Sequence, residues 1–102
     1  MIHVIATIEV VDGAREKLLD LFAELTPTVR QERGCIEYGP AVDASTDIAG
    51  LAPARANIVT VVEKWESTQA LADHLRAPHM DAFRQKAKSL LAGVGIQVLE
   101  PA

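Results

Sequence analysis

The sequence predicts an α+β domain, an antiparallel sheet of four strands with helices on one face. Three observations lead there. Segments of strand-like alternation and of helical periodicity follow one another in the order β-α-β-β-α-α-β. A chain of 102 residues has the length of one domain, spanning 1–102. Apolar residues make up 49% of it, yet only Phe22, Tyr38, Trp65 and Phe83 are aromatic, an aliphatic surplus too large for so small a chain to bury alone. That surplus predicts self-association.

The first strand covers residues 2–11, rich in β-branched side chains, with Ile2, Val4, Ala6, Ile8 and Val10 on one dry face. Its other face is mixed. Asp12-Gly13 closes the strand, and Asp12 is placed to cap a helix starting near Ala14. Leu18, Leu21, Phe22, Leu25 and Val29 then recur at helical spacing and form a stripe that faces a core. Pro27 should bend this helix by clashing with the Ala23 carbonyl, and Gly34 should end it.

Cys35 to Val42 and Asn57 to Glu66 read as two further strands, the first with Tyr38 on the same side as Ile36 and Val42. On the second, Asn57, Val59, Val61, Glu63 and Trp65 point one way. The segment between them, 43–56, is too long for a tight turn and reads as a lid or an interface arm; Asp43 and Asp47 are loop residues there, not a catalytic pair. Ser67 opens a second helix, with Leu71, His74 and Leu75 on one face. Pro78 begins a third, striped by Met80, Phe83, Ala87, Leu90 and Leu91 and running to about Ala92. Gly93 and Gly95 stop it, leaving Val94 to Glu100 as the last strand.

This order is the split βαβ, ferredoxin-like arrangement, with the helix-free sheet face left half apolar. Two copies joined by those faces would close a dimeric α/β barrel. Ten basic against fourteen acidic residues give a net charge of -4 without a Lys/Arg cluster, which excludes a nucleic-acid partner. The longest apolar run, Ile58 to Val62, is far short of the roughly 20 residues that cross a bilayer. With no leader-like N-terminus and a single cysteine, Cys35, the expectation is a soluble cytoplasmic protein with no disulfide.

The runs Glu32-Arg33-Gly34-Cys35-Ile36-Glu37-Tyr38, Val62-Glu63-Lys64-Trp65-Glu66-Ser67 and Ala70-Leu71-Ala72-Asp73-His74-Leu75-Arg76-Ala77-Pro78-His79-Met80 resemble the antibiotic biosynthesis monooxygenase family. Their order and spacing look most like its bacterial quinol (menadiol) monooxygenase branch. The resemblance implies a homodimer with a pocket between the sheet and the helices of each subunit, and oxidation of a small aromatic substrate by O2 with no cofactor. The sequence has no glycine-rich phosphate loop, C-x-x-C or H-E-x-x-H. An electron-rich quinol can itself reduce O2 once deprotonated, so the protein must supply a base, an apolar cavity and a group to steady an oxyanion.

His74 is the candidate base, held neutral on an inward helix face. Glu63 is the candidate to orient it, with His74 or Arg84 as its expected partner. Trp65 offers a flat wall for the ring, because the resemblance implies that this tryptophan faces the pocket. Tyr38, His79 and Phe83 complete the predicted binding site. The structural alternatives are a core histidine for His74, a helix cap for His79 and a core residue for Trp65. Cys35 reads as a small core residue. No metal site is expected, because a five-residue spacing across a proline does not align His74 and His79 on one helix face with Glu63. Haem-degrading relatives use an asparagine where this chain has Ala6 or Thr7, and polyketide-oxidising relatives use one where it has Val61, so neither specialised activity carries over. The same scaffold also supports a different reading, a non-redox binding or isomerising module for a small hydrophobic or signalling metabolite.

Overall fold

A computed structural model describes residues 1–102. The elements are β1 (Ile2–Val10), α1 (Arg15–Arg30), β2 (Cys35–Ala41), β3 (Ile58–Trp65), α2 (Thr68–Leu75), α3 (Pro78–Ala87), a short 3-10 turn (Lys88–Leu90) and β4 (Leu91–Leu99). The sheet order is β2-β3-β1-β4 with every pairing antiparallel, the ferredoxin-like topology. On the helix-covered face, Ile2, Val4, Ala6 and Ile8 of β1 lie opposite Trp65, Glu63, Val61 and Val59 of β3, and all eight are buried. Leu18, Phe22, Leu25 and Val29 of α1 pack onto them. The period-2 alternation of β1 and β3 and the stripe of α1 therefore place the core as expected.

Three element ends differ from expectation, two of them because a distant partner decides them. Asp12 does not cap α1; its Oδ1 accepts a 2.6 Å hydrogen bond from Asn57 Nδ2, while Ala14 takes the cap position without a side-chain bond. Helix α1 runs through Pro27, with Thr26 and Val29 buried on either side of the proline, and ends not at Gly34 but at Arg30, where the Gln31 N–H closes the last turn on the Thr28 and Val29 carbonyls. The third helix ends near Leu90, not Ala92: Leu91 pairs with Val10 and the Val11 N–H donates to the Leu90 carbonyl, so pairing with β1 pulls the chain into strand before either glycine. Gly93 and Gly95 lie inside β4.

A register shift between Cys35 and Glu37 places two residues of β2 against one of β3. Cys35 then faces Trp65 and Tyr38 faces Glu63, so both point inward. Tyr38 is buried, whereas Ile36 and Val42 are exposed, which corrects the expectation that the three share a face. The 43–56 segment is closed at its base by Arg55, whose Nε and Nη2 donate to the two carboxylate oxygens of Asp43 at 2.7 and 3.1 Å. That bond holds the Asp43 carboxyl down to about 2.

Candidate active site

A cavity of about 250 Å³ lies between the inner sheet face and helices α2 and α3, and eleven of its fourteen lining residues are hydrophobic. Its polar groups are Glu63, His74 and Arg84, with the Tyr38 hydroxyl. Of the expected site residues, Tyr38, Glu63, His74 and Phe83 reach its wall; Trp65 and His79 do not. A larger depression, about 510 Å³, runs along β2 near Arg30 and Pro40 but contains no histidine. On the β4 side Val94 and Ile96 border the cavity while remaining half exposed, so the cavity opens there.

Ser67 caps α2 by accepting from the Ala70 N–H at 3.2 Å, which fixes the helix that carries His74. The imidazole is 2% exposed, with its centroid 4.6 Å from that of Trp65 and 5.5 Å from that of Tyr38. His74 Nδ1 lies 2.8 Å from Glu32 Oε2. A carboxylate can only accept, so Nδ1 carries the hydrogen and Nε2, with no bond within the chain, keeps its lone pair. Burial pushes the His74 pKa down, and Glu32 opposes that shift through its hydrogen bond and its charge. A neutral imidazole with a free nitrogen at an apolar wall is the form a base needs.

Glu32 is the residue that sequence reasoning missed; its only signal was its place in the run ending at Tyr38. It sits just after α1, in a turn tied by Cys35 N–H to the Glu32 carbonyl (3.1 Å) and Glu66 N–H to the Gly34 carbonyl (2.8 Å). Gly34 makes the turn possible: its φ is +86°, and a Cβ there would lie 2.6 Å from Ala70 Cβ. The same Oε2 lies 2.8 Å from His79 Nε2. Separate helices α2 and α3 carry the two histidines, so the spacing rule for a single helix does not apply and both rings converge on one oxygen. That corrects the expected misalignment. His79 lies on an outer groove of about 260 Å³ between α1 and α3, shared with Leu25 and Phe83, not on the cavity itself.

Glu63 makes no hydrogen bond to His74 or Arg84. Its Oε1 accepts from Trp65 Nε1 at 2.8 Å, two residues along the same strand face. Burial pushes its pKa up to about 7, the tryptophan bond pulls the other way, and the Glu32 charge adds to the rise. Trp65 is fully buried, so it positions Glu63 and packs on His74 instead of forming a wall for a ring. Arg84, seen in sequence only as a possible partner of Glu63, reaches the wall with its guanidinium donating to the Leu75 carbonyl (2.7 Å) and to Asp81 Oδ1 (3.0 Å). Burial raises the Tyr38 hydroxyl well above its ordinary value, so it remains a donor. Burial and the charges of Glu32 and Glu63 likewise raise the Cys35 thiol, in keeping with a core role.

The family described as antibiotic biosynthesis monooxygenase matches residues 1–86. The chain belongs to that family. Among relatives of the antibiotic biosynthesis monooxygenase family, a protein of Escherichia coli strain K12 named as the probable quinol monooxygenase YgiN is 38% identical over 103 residues, covering 99% of this chain and 98% of the relative. The crystal structure of PA3566 from Pseudomonas aeruginosa superposes with a TM-score of 0.81 at 26% identity, covering 99% of this chain and 93% of that one. Rv0793 from Mycobacterium tuberculosis superposes at 0.80 and 27%, covering 99% and 94%. Membership in the antibiotic biosynthesis monooxygenase family supports a monooxygenase acting on a small molecule. No helix of the chain is long and apolar enough to cross a membrane.

Proposed function

We propose that this protein oxidises a quinol or related polyphenol with O2, without a prosthetic group, as a homodimer. One observation carries the reading: His74 lines an apolar cavity with its Nδ1 held by Glu32 and its Nε2 left without a partner. The name of the YgiN relative supports the substrate class. At about 250 Å³ the cavity falls just below the roughly 300–1,000 Å³ typical of drug-sized ligands, which suits a compact ring.

His74 Nε2 takes a hydroxyl proton, and the resulting phenolate reduces O2. The quinol supplies all four electrons. One oxygen atom enters the ring as a hydroxyl and the other leaves as water, so quinol and O2 give a hydroxyquinone and water without an external reductant. Arg84 lies where its charge can steady the oxyanion, and Glu63, poised near neutrality, can exchange a proton with the second oxygen. Tyr38 and Phe83 shape the walls.

The test is O2 uptake and product formation with a panel of quinols under air, corrected for autoxidation with heat-killed protein. His74→Ala should cost about 10²–10⁴ in rate. If uptake never exceeds the control while a quinol still raises the melting temperature, the oxygenase reading fails.

A further inference from the structure

The proposed oxidation leaves His79 without a chemical task, yet His79 Nε2, Glu32 Oε2 and His74 Nδ1 lie within 4.8 Å of one another. Two imidazole nitrogens and one carboxylate oxygen are a donor set that borderline divalent ions, zinc foremost, take with water in the fourth place. We propose that Glu32, His74 and His79 bind a divalent transition ion of the zinc type, and that the bound ion disarms His74 as a base. The second half rests on the proposed oxidation; the first does not.

Each nitrogen now lies 2.8 Å from Oε2, a hydrogen-bond separation. Ligands of a tetrahedral zinc ion sit about 3.4 Å apart, so the carboxylate has to withdraw by roughly half an ångström from each ring, while the two ring nitrogens, within 4.8 Å of one another, close to that same separation, a movement the half-exposed His79 ring can make. Both nitrogens must also be free of their protons, which the ion replaces. Glu32 Oε1 makes no hydrogen bond within the chain and is free to turn toward the ion. The His79 side chain is 29% exposed on the outer groove, which gives an ion a way in that avoids the cavity.

The position of the three ligand atoms decides what such an ion can do. Neither Glu32 nor His79 lines the cavity, and His74 meets them through Nδ1. An ion there has the imidazole between itself and the cavity, so it cannot touch substrate or O2. It acts through the ring instead. A neutral imidazole bound to metal at Nδ1 carries its hydrogen at Nε2, the nitrogen that otherwise keeps its lone pair.

Calorimetry and equilibrium dialysis with Zn2+ on the full chain test the site. One ion should bind per chain with release of protons, read as a buffer-dependent enthalpy. Co2+ in its place should show the visible bands of a tetrahedral ion. Binding should be lost in His79→Ala and Glu32→Gln and kept in His3→Ala, whose histidine lies on the opposite sheet face. Circular dichroism reports whether each variant is folded, and His79→Gln replaces the alanine variant if that one is not. No saturable binding, or binding that survives both losses, overturns the site. Saturating Zn2+ should lower quinol oxidation at least tenfold, with recovery on chelation; a rate indifferent to bound zinc overturns the disarming. If no quinol is oxidised at all, the disarming falls with the proposed oxidation, while calorimetry still decides the site.

Discussion

Glu32 Oε2 and His74 Nδ1 are joined by a 2.8 Å hydrogen bond between residues 42 apart in the chain. The bond fixes the tautomer and raises the basicity of an imidazole whose surroundings otherwise depress it. Glu32→Gln should therefore lower kcat at least tenfold with little change in KM. It should also move the acid limb of the rate profile to lower pH, because both contributions of Glu32 to His74 raise its pKa. A loss of rate with an unmoved limb would assign Glu32 a purely structural role.

Glu63→Gln tests the carboxyl near neutrality. The folded pKa of about 7 exceeds the ordinary 4.5, so the folded protein holds a proton that the unfolded chain has released between those values. Stability from this group is full below about pH 4.5 and is lost as pH rises toward 7. The glutamine variant should match the parent near pH 4.5 and melt higher at pH 8. The difference is bounded by about 3 kcal/mol for a shift of this size. A variant less stable at pH 8 than at pH 5, relative to the parent, would contradict the assigned shift.

Trp65→Phe removes the only protein donor to Glu63. That bond lowers the Glu63 pKa, so its midpoint should rise above 7, measured by carbon NMR of the carboxyl. The buried oxygen left unpaired costs about 1–3 kcal/mol in urea unfolding.

Gly34→Ala meets two obstacles, a φ of +86° and an Ala70 Cβ at 2.6 Å. The expected loss is about 2–4 kcal/mol, a fall in melting temperature of ten degrees or more. Because this turn places Glu32, the surviving folded protein should also show the slow phenotype of Glu32→Gln.

The proposed dimer uses the sheet face that no helix covers, where Val62, 41% exposed, lies opposite Ile5. Light scattering should find two copies for the parent and one for Val62→Glu. A parent that stays monomeric at low micromolar concentration would defeat the assembly.

What could be read from the sequence was what depends on near neighbours. The alternation Asn57, Val59, Val61, Glu63, Trp65 and the stripe Leu18, Leu21, Phe22, Leu25, Val29 name their own faces, and both are buried as read except at Asn57 and Leu21, which are half-buried. Ser67 is visible as a cap because its partner is three residues away. Asp12 is read wrongly because its partner, Asn57, is 45 residues away. The site follows the same division. His74 and Glu63 are found by residue type and face, but Glu63 was given His74 or Arg84 as its partner when Trp65 holds it. Glu32 is an ordinary acidic residue after a helix until the packing of α2 against Gly34 brings His74 onto it.

The extra residue in β2 has a consequence of its own. A strand has a reading frame of two, and one inserted residue changes its parity for everything beyond. Cys35 and Tyr38, an odd number of positions apart, share the inner face only because Ile36 and Glu37 together oppose Lys64. Deleting Ile36 would regularise the ladder and leave Tyr38 beside His74. Deleting Gly39 would keep the irregularity and turn Pro40 and Ala41 to opposite sides of the sheet from those they now occupy. The contact between Tyr38 and the histidine is thus encoded by a count as much as by a residue type.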